Sequence, residues 1–298
     1  VRFTLQPDRQ NLEIIMEGKF SLTSMIPVNP DESDFPAAPE WTAQIPAAEV
    51  KSAAFHSALQ QSMFAMARGD TRFAMNGFLL AAEETGLVLA ASDTHRLSVS
   101  EVSARVSKQG DLGIVPAAAA AMLDGILRRE TGTVQIQLNG ITQKEEDGTD
   151  KVVWFMMFET PTVRLCTCLV EGQFPRFREV IPTPTQAHLT IMDRKGFLAA
   201  MDALAGSVDP DTYALRLRRG QGSKVKLIGA NACLETDAAS NYGMIALNIN
   251  LAYLRDALEA ATGDSIVLQY GGAGSCPGSL PEDGWQHVIM PIRSECED

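Results

Sequence analysis

The stretch Met122-Leu-Asp-Gly-Ile-Leu-Arg-Arg-Glu-Thr-Gly132 returns, altered, as Tyr253-Leu-Arg-Asp-Ala-Leu-Glu-Ala-Ala-Thr-Gly263. Both copies keep two Leu residues four apart, end in Thr-Gly and lead into an apolar strand pattern, VQIQL at 134–138 and IVLQY at 266–270. Each reads as a short helix closed by a C-cap glycine and feeding a strand. Self-similarity over this distance signals a repeated domain rather than one large fold.

Working outward, Arg164-Leu-Cys-Thr-Cys-Leu-Val170, running on to Gln173-Phe-Pro175, is echoed by Phe20-Ser-Leu-Thr-Ser-Met-Ile26, running on to Asp34-Phe-Pro36. The opening VRFTL then matches VQIQL, so Val1 falls partway through a copy. The expectation is the second half of one repeat followed by two whole ones. The whole copies begin alike: Ile45-Pro-Ala-Ala-Glu-Val-Lys51 is expected to start a helix carrying Val50, Phe55, Leu59, Met63 and Met66 on one face, then a strand RFAMNGFLLAA at 72–82. The counterpart starts at Met192-Asp-Arg-Lys, with Phe197, Leu198, Met201 and Leu204 on one face. Helix, antiparallel strands, helix and more strands make an α+β domain with helices on one face of a sheet. Pro-rich segments at 31–41 and 180–186 separate units at 1–43, 44–184 and 185–298, and GITQKEEDGTDK at 140–151 reads as a charged hairpin loop.

The net charge of −12 argues against a surface coated with cations for nucleic acid, yet residues 194–228 hold seven Lys/Arg against three Asp, so charge is segregated. Five cysteines at irregular positions make no disulfide framework, and a reducing compartment fits them. The first ten residues lack the basic and apolar regions of a signal peptide, and the apolar stretches are too short for a bilayer, so the chain reads as soluble and cytosolic.

Leu87-Val-Leu-Ala-Ala-Ser-Asp-Thr-His-Arg-Leu-Ser-Val-Ser100 alternates like a half-buried strand, turns at Ser92-Asp93-Thr94 and resumes. Asp93, His95 and Arg96 then stand at a strand break with access to solvent. Three readings stay open: a self-capped hairpin, an Asp-His pair for base chemistry or metal, and a binding pocket beside the hairpin. His56, His188 and His287 stand alone, without the spacing of a metal site, and no phosphate loop or nucleophile motif occurs, so no cofactor or metal is expected.

Four ordered motifs resemble the bacterial DNA polymerase III beta subunit family, the DNA sliding clamps: Arg72-Phe-Ala-Met-Asn-Gly-Phe-Leu-Leu80, Ala91-Ser-Asp-Thr-His-Arg-Leu97, Leu169-Val-Glu-Gly-Gln-Phe-Pro-Arg-Phe-Arg-Glu-Val-Ile-Pro182 and Val288-Ile-Met-Pro-Ile-Arg293. The resemblance covers nearly the whole chain. It implies repeated clamp domains, each with two helices packed on antiparallel sheet, in a head-to-tail ring, most simply a homodimer, around duplex DNA in the bacterial cytoplasm. It implies no catalysis. Its partners would be DNA without regard to sequence, a replicative polymerase, a clamp loader and other proteins with a clamp-binding peptide.

Matched motif by motif, the peptide cleft would be lined by Met75, Ser92, Thr94, His95, Arg96 and Leu97, by Pro175 and Val180, and by Val288, Ile289, Met290, Pro291, Ile292 and Arg293. Lys51, Arg68, Arg72, Arg128, Arg129, Arg194, Lys195 and Arg255 would face DNA. Thr94 replaces the usual glycine, Glu179 a common arginine, and an acidic tail, Ser294-Glu-Cys-Glu-Asp298, follows Arg293. A clamp-like scaffold that binds peptides without encircling DNA is the alternative.

Overall fold

The structure, a computed structural model, describes residues 2–5, 11–16, 22–27, 46–69, 73–144, 149–183, 187–241, 246–270 and 278–292. The Pro-rich segment at 31–41, Arg72, Arg293 and the acidic tail lie outside them. The chain divides into two units, Val1–Trp41 and Thr42–Asp298. In the first, β1 (Arg2–Leu5), β2 (Asn11–Met16) and β3 (Leu22–Pro27) form an antiparallel meander with Phe3 opposite Ile14 and Leu12 opposite Ile26.

In the second unit the chain runs through β4 (Ala48–Lys51), α1 (Ser52–Met63), β5 (Gly77–Ala82), β6 (Gly86–Ser92), β7 (Arg96–Val106), β8 (Gly110–Pro116), α2 (Ala117–Leu127), β9 (Thr133–Lys144), β10 (Asp150–Glu159) and β11 (Arg164–Cys168). It then repeats the order: β12 (His188–Ile191), α3 (Arg194–Leu204), β13 (Ala214–Arg219), β14 (Lys224–Ile228), β15 (Cys233–Asp237), β16 (Ala239–Ser240), β17 (Ala246–Asn250), α4 (Leu251–Ala260), β18 (Ile266–Gln269), β19 (Gly278–Glu282) and β20 (Trp285–Ile289). The pairings repeat too. β4 lies on β9 as β12 lies on β18, and β5 joins β6 and β8 as β13 joins β14 and β17. β15 and β16, interrupted at Ala238, together take the role of β7, pairing with β14 and β12 as β7 pairs with β6 and β4.

Buried positions on α1 (Phe55, Ala58, Leu59, Ser62) follow helical spacing and close over the sheet with Leu123 of α2 and Met156 and Phe158 of β10. In the second copy Phe197, Met201, Leu254 and Leu258 do the same. Asp193 and Asn250 cap α3 and α4 by accepting the N–H of Gly196 (3.0 Å) and Tyr253 (3.2 Å). A third apolar cluster, with Leu79, Leu97, Val99, Phe174, Phe177 and Val288, gathers loop 169–182 onto β5–β8 and β20. The two copies share one ladder, because β20 lies antiparallel on β7, Val288 opposite Leu97 and Ile289 opposite Arg96. Among the described residues thirteen strands therefore form a single sheet across the repeats.

Four details depart from the sequence reading. Ala48–Lys51 is a strand and the helix starts only at Ser52, because Ala48 and Val50 are buried between β7 and β9; pairing with distant partners overrides a helix-favouring Ala-Ala-Glu segment. α2 ends at Leu127 and α4 at Ala260, four and two residues before the Thr of each Thr-Gly pair, so the C-caps are Arg128 and Ala261 and those glycines lie in the turn into the next strand. Gly132 does so at φ 105°, accepting the N–H of Ser52 at 2.9 Å. Phe73–Met75 is a 3-10 turn ahead of β5. β9 and β10 pair out to Lys144 and Asp150, which shortens the loop expected over 140–151. Among the described residues no helix is long and apolar enough to cross a membrane.

Candidate functional site

The Ser92–Arg96 turn is built by its own side chains. Asp93 Oδ1 accepts the N–H groups of His95 and Arg96, both at 3.0 Å. Ser92 Oγ donates to the Arg96 carbonyl (2.8 Å) and accepts the N–H of Thr94 (3.2 Å). This holds Thr94 at φ 81°, a left-handed conformation that a β-branched residue adopts at a cost. Thr94→Gly, which removes the Cβ but leaves the backbone bonds, is expected to raise stability by about 1 kcal/mol. Urea denaturation of the two proteins checks it, and an unchanged midpoint would count against strain at this turn.

Arg96 does not reach solvent as its place in the turn suggests; it is 8% exposed. Its Nε donates to Asp93 Oδ2 (2.9 Å), Nη1 to Asp256 Oδ2 (2.5 Å) and Nη2 to the Phe64 carbonyl (2.7 Å). The guanidinium also lies 4.5 Å from the Tyr253 ring centroid. Burial and then the Asp93 carboxylate push the Tyr253 phenol up. Asp93 and Arg96 come from one repeat, Asp256 and Tyr253 from the next, so this cluster fastens the junction, with one buried guanidinium shared by two carboxylates.

Beside it lies a cavity of about 250 Å³. Four segments line it: the 3-10 turn at Met75, the β6–β7 turn, loop 174–180 and the end of β20. Met75, Leu97, Phe174, Phe177 and Val288 form a buried floor, and Val180 (55% exposed) and Met290 (46% exposed) stand at the mouth. Arg176 at the rim pairs with Glu179 at 3.3 Å. The result is an apolar slot with few polar groups, suited to large aliphatic or aromatic anchors of an extended peptide.

Of the cleft residues expected from the motifs, Met75, Ser92, Thr94, Arg96, Leu97, Pro175, Val180, Val288 and Met290 come together around this cavity. His95 turns aside, its ring stacked 6.4 Å from Tyr253 while its carbonyl accepts the N–H of Met290. Ile289 points into the core of the second copy, and Pro291 and Ile292 continue past the mouth, the Ile292 N–H donating to the Asn248 carbonyl. Phe174, Arg176 and Phe177 also line the slot and were missed. Their signal was the aromatic spacing in Gln173-Phe-Pro-Arg-Phe177, which carries no helix or strand period.

The expected DNA-facing cations differ in freedom. Among the described residues Lys51, Arg68, Arg129 and Lys195 are exposed and make no ion pair. Arg128 binds Asp124 (2.9 Å), and Arg255 sits between Asp202 (3.4 Å) and Glu259 (3.0 Å). Arg194 serves the fold, donating to the carbonyls of Gly263 and Leu258, both at 2.8 Å, at the end of α4. Five of the seven cations in 194–228 lie on or beside the β13–β14 hairpin, where Arg218 stands opposite Lys226. Burial, and then Arg216, hold the Arg218 guanidinium below its usual range.

Comparison with known proteins places this architecture. The family of the DNA polymerase III beta subunit, central domain, matches residues 49–176, the passage that supplies the turn and, with Met75, Leu97 and Phe174, part of the floor of the cavity. Residues 49–176 are thus similar to the central domain of the DNA polymerase III beta subunit. Proteins named beta sliding clamp match over nearly the whole chain: that of Pseudomonas putida is 25% identical, covering 97% of this chain and 76% of its own. That of Vibrio cholerae is 23% identical, covering 96% and 77%. Among solved structures, the DNA polymerase III subunit beta from Pseudomonas aeruginosa aligns with a TM-score of 0.78 at 22% identity, covering 98% of this chain and 76% of its own. The beta subunit from Thermotoga maritima aligns at 0.80 with 16% identity, over 98% and 76%. The Pseudomonas aeruginosa sliding clamp has also been solved bound to griselimycin.

Proposed function

We propose that this chain is a sliding clamp: a non-enzymatic ring subunit that encircles duplex DNA without reading its sequence and tethers a replicative polymerase, its loader and other partners through short peptides. Its units are a partial first domain at 1–43 and whole domains at 44–184 and 185–298, closing head to tail as a dimer in the bacterial cytoplasm. The observation that carries this reading is the apolar slot between two copies of one fold, with adaptable Met75 in its floor and Met290 at its mouth. A role without catalysis is supported by the Asp93–His95 turn, where the carboxylate is committed to two backbone N–H groups and Arg96 rather than to the imidazole. Lys51, Arg68, Arg129 and Lys195 are free to meet phosphates, and the chain's net charge of −12 limits how tightly it can hold them.

A peptide with adjacent Leu and Phe anchors is expected to bind with micromolar affinity, and Met290→Ala to weaken it by about 1–3 kcal/mol. Lys51→Ala should leave the peptide alone and lower the salt dependence of DNA association. Fluorescence anisotropy with labelled peptide and labelled duplex measures both. Retention on closed circular DNA, lost when the circle is cut, separates encirclement from a peptide-binding scaffold; equal retention on both forms favours the scaffold.

A further inference from the structure

Phe174 lines two cavities. One is the slot described above; the other is a groove of about 390 Å³ along β8, β10 and loop 169–174. Its volume lies within the roughly 300–1,000 Å³ range of ligand sites. Gly113 lines it, and Gly140 lies against Val152 and Trp154, which line it too. A Cβ on Gly113, at φ 136°, would stand 2.4 Å from Leu169 Cδ1, and one on Gly140 would stand 3.1 Å from Trp154 Cζ3. Trp154 lies opposite Gly140 in the β9–β10 register, so the ring occupies room that any side chain there would take.

Val152, Trp154, Met156 and Phe158 alternate along one face of β10. Met156 and Phe158 are core; Val152 and Trp154 carry the same apolar stripe out of the core, 47% and 46% exposed. Shielding the backbone at Gly140 explains the position of the indole but not why nearly half of it faces water beside the groove. Of the charges lining the groove, Glu171 is paired with Lys151 at 2.7 Å, while Lys108 and Asp111 stand at the β8 side, away from the apolar Val152 and Trp154 side on β10.

Resting on the peptide-cleft reading, we infer that the groove takes the flank of the same linear peptide that fills the slot: the chain passes over Phe174 and sets one further aromatic or branched aliphatic side chain against Trp154 and Val152. The sequence class recognised is thus longer than a single anchor pair, with an extra apolar residue within roughly five residues of it, a reach of about 17 Å when extended. The continuity through Phe174 is the reason to choose a flank over an unrelated partner.

The test uses the full chain and four fluorescein-labelled peptides: a short Leu-Phe anchor peptide, the same with a five-residue flank containing Leu and Phe at its amino end or at its carboxyl end, and a Gly/Ser-flanked control. One apolar flank should tighten Kd about tenfold, as burial of one more side chain implies. Trp154→Ala should abolish that gain and leave the short peptide within about twofold, and Val152→Asp should do likewise, so that a folding defect in one variant does not decide the matter. If neither apolar flank beats the Gly/Ser control, or the gain survives in a folded Trp154→Ala protein, the groove is not part of the site while the cleft stands. If the short peptide fails to bind wild type, or binds Met290→Ala equally well, the cleft reading fails and the groove with it.

Discussion

Arg96→Ala is expected to lower the unfolding free energy by about 3 kcal/mol, the lower part of the range for breaking a buried ion pair. The lower part applies because Asp256 is itself 36% exposed and regains water, whereas Asp93, at 16%, regains little. The guanidinium also satisfies the Phe64 carbonyl and lies against Phe64 and Tyr253, so alanine leaves an unpaired carboxylate, an orphan carbonyl and a hole at the junction of the repeats. Peptide affinity should fall with it, since the same side chain walls the slot. Arg96→Lys keeps the charge but cannot fork between Asp93 and Asp256, and should recover less than half of the loss. Urea denaturation of the three proteins reads this directly, and a loss below about 1 kcal/mol for alanine would mean that the junction is held by its β-ladder alone.

The second large effect is acid sensitivity at His287. This side chain is fully buried on β20, its ring 5.1 Å from Phe64 and 6.0 Å from Trp285, and neither ring nitrogen has a partner. Of the polar neighbours around it, Ser98 Oγ and the Gln61 carbonyl are taken by the indole N–H of Trp285, and Arg96 is the charged group that faces it. Burial, and then Arg96, depress the imidazole to about 3 from its ordinary 6.5. A base with a depressed folded value binds fewer protons folded than unfolded. Its stabilising effect is therefore complete above pH 6.5 and is lost as pH falls toward 3. The slope is about 1.4 kcal/mol per pH unit, or about 4–5 kcal/mol over the window. His287→Leu, of similar shape and unable to charge, should flatten the decline of stability across that window. If both proteins lose stability in parallel from pH 6.5 to 3.5, other groups govern the acid transition.

What could be read from the residues followed local periodicity. The β6–β7 hairpin and the apolar faces of α1 and α3 carry clean two-residue or helical spacing, and the twin Leu-Leu-Thr-Gly passages exposed the repeat. β4 was misread because Ala-Ala-Glu-Val-Lys favours a helix by itself, and only pairing with β7 and β9, tens of residues away, makes it a strand. The cleft was less legible still. Its floor joins Met75, Leu97, Phe174 and Val288 from distant parts of the chain, and no pattern in the sequence announces that β20 pairs with β7. The expected lining came from resemblance, which carries motifs but not contacts. It therefore included His95 and Ile289, which turn away, and passed over Phe174 and Phe177 in an aperiodic loop.

The ladder between β20 and β7 gives the joint between repeats a direction of strength. Hydrogen bonds across antiparallel strands stand perpendicular to the chains, and the seam holds five residue pairs, from Trp285 opposite Ser100 to Ile289 opposite Arg96. A tug parallel to the strands must shear all five together; prying from one end breaks them one by one, like a zip. The slot opens at the Ile289–Arg96 end, the vulnerable end for a partner that drags on its docked peptide. The fork of Arg96 between Asp93 and Asp256 sits there as a rivet at the first tooth of the zip.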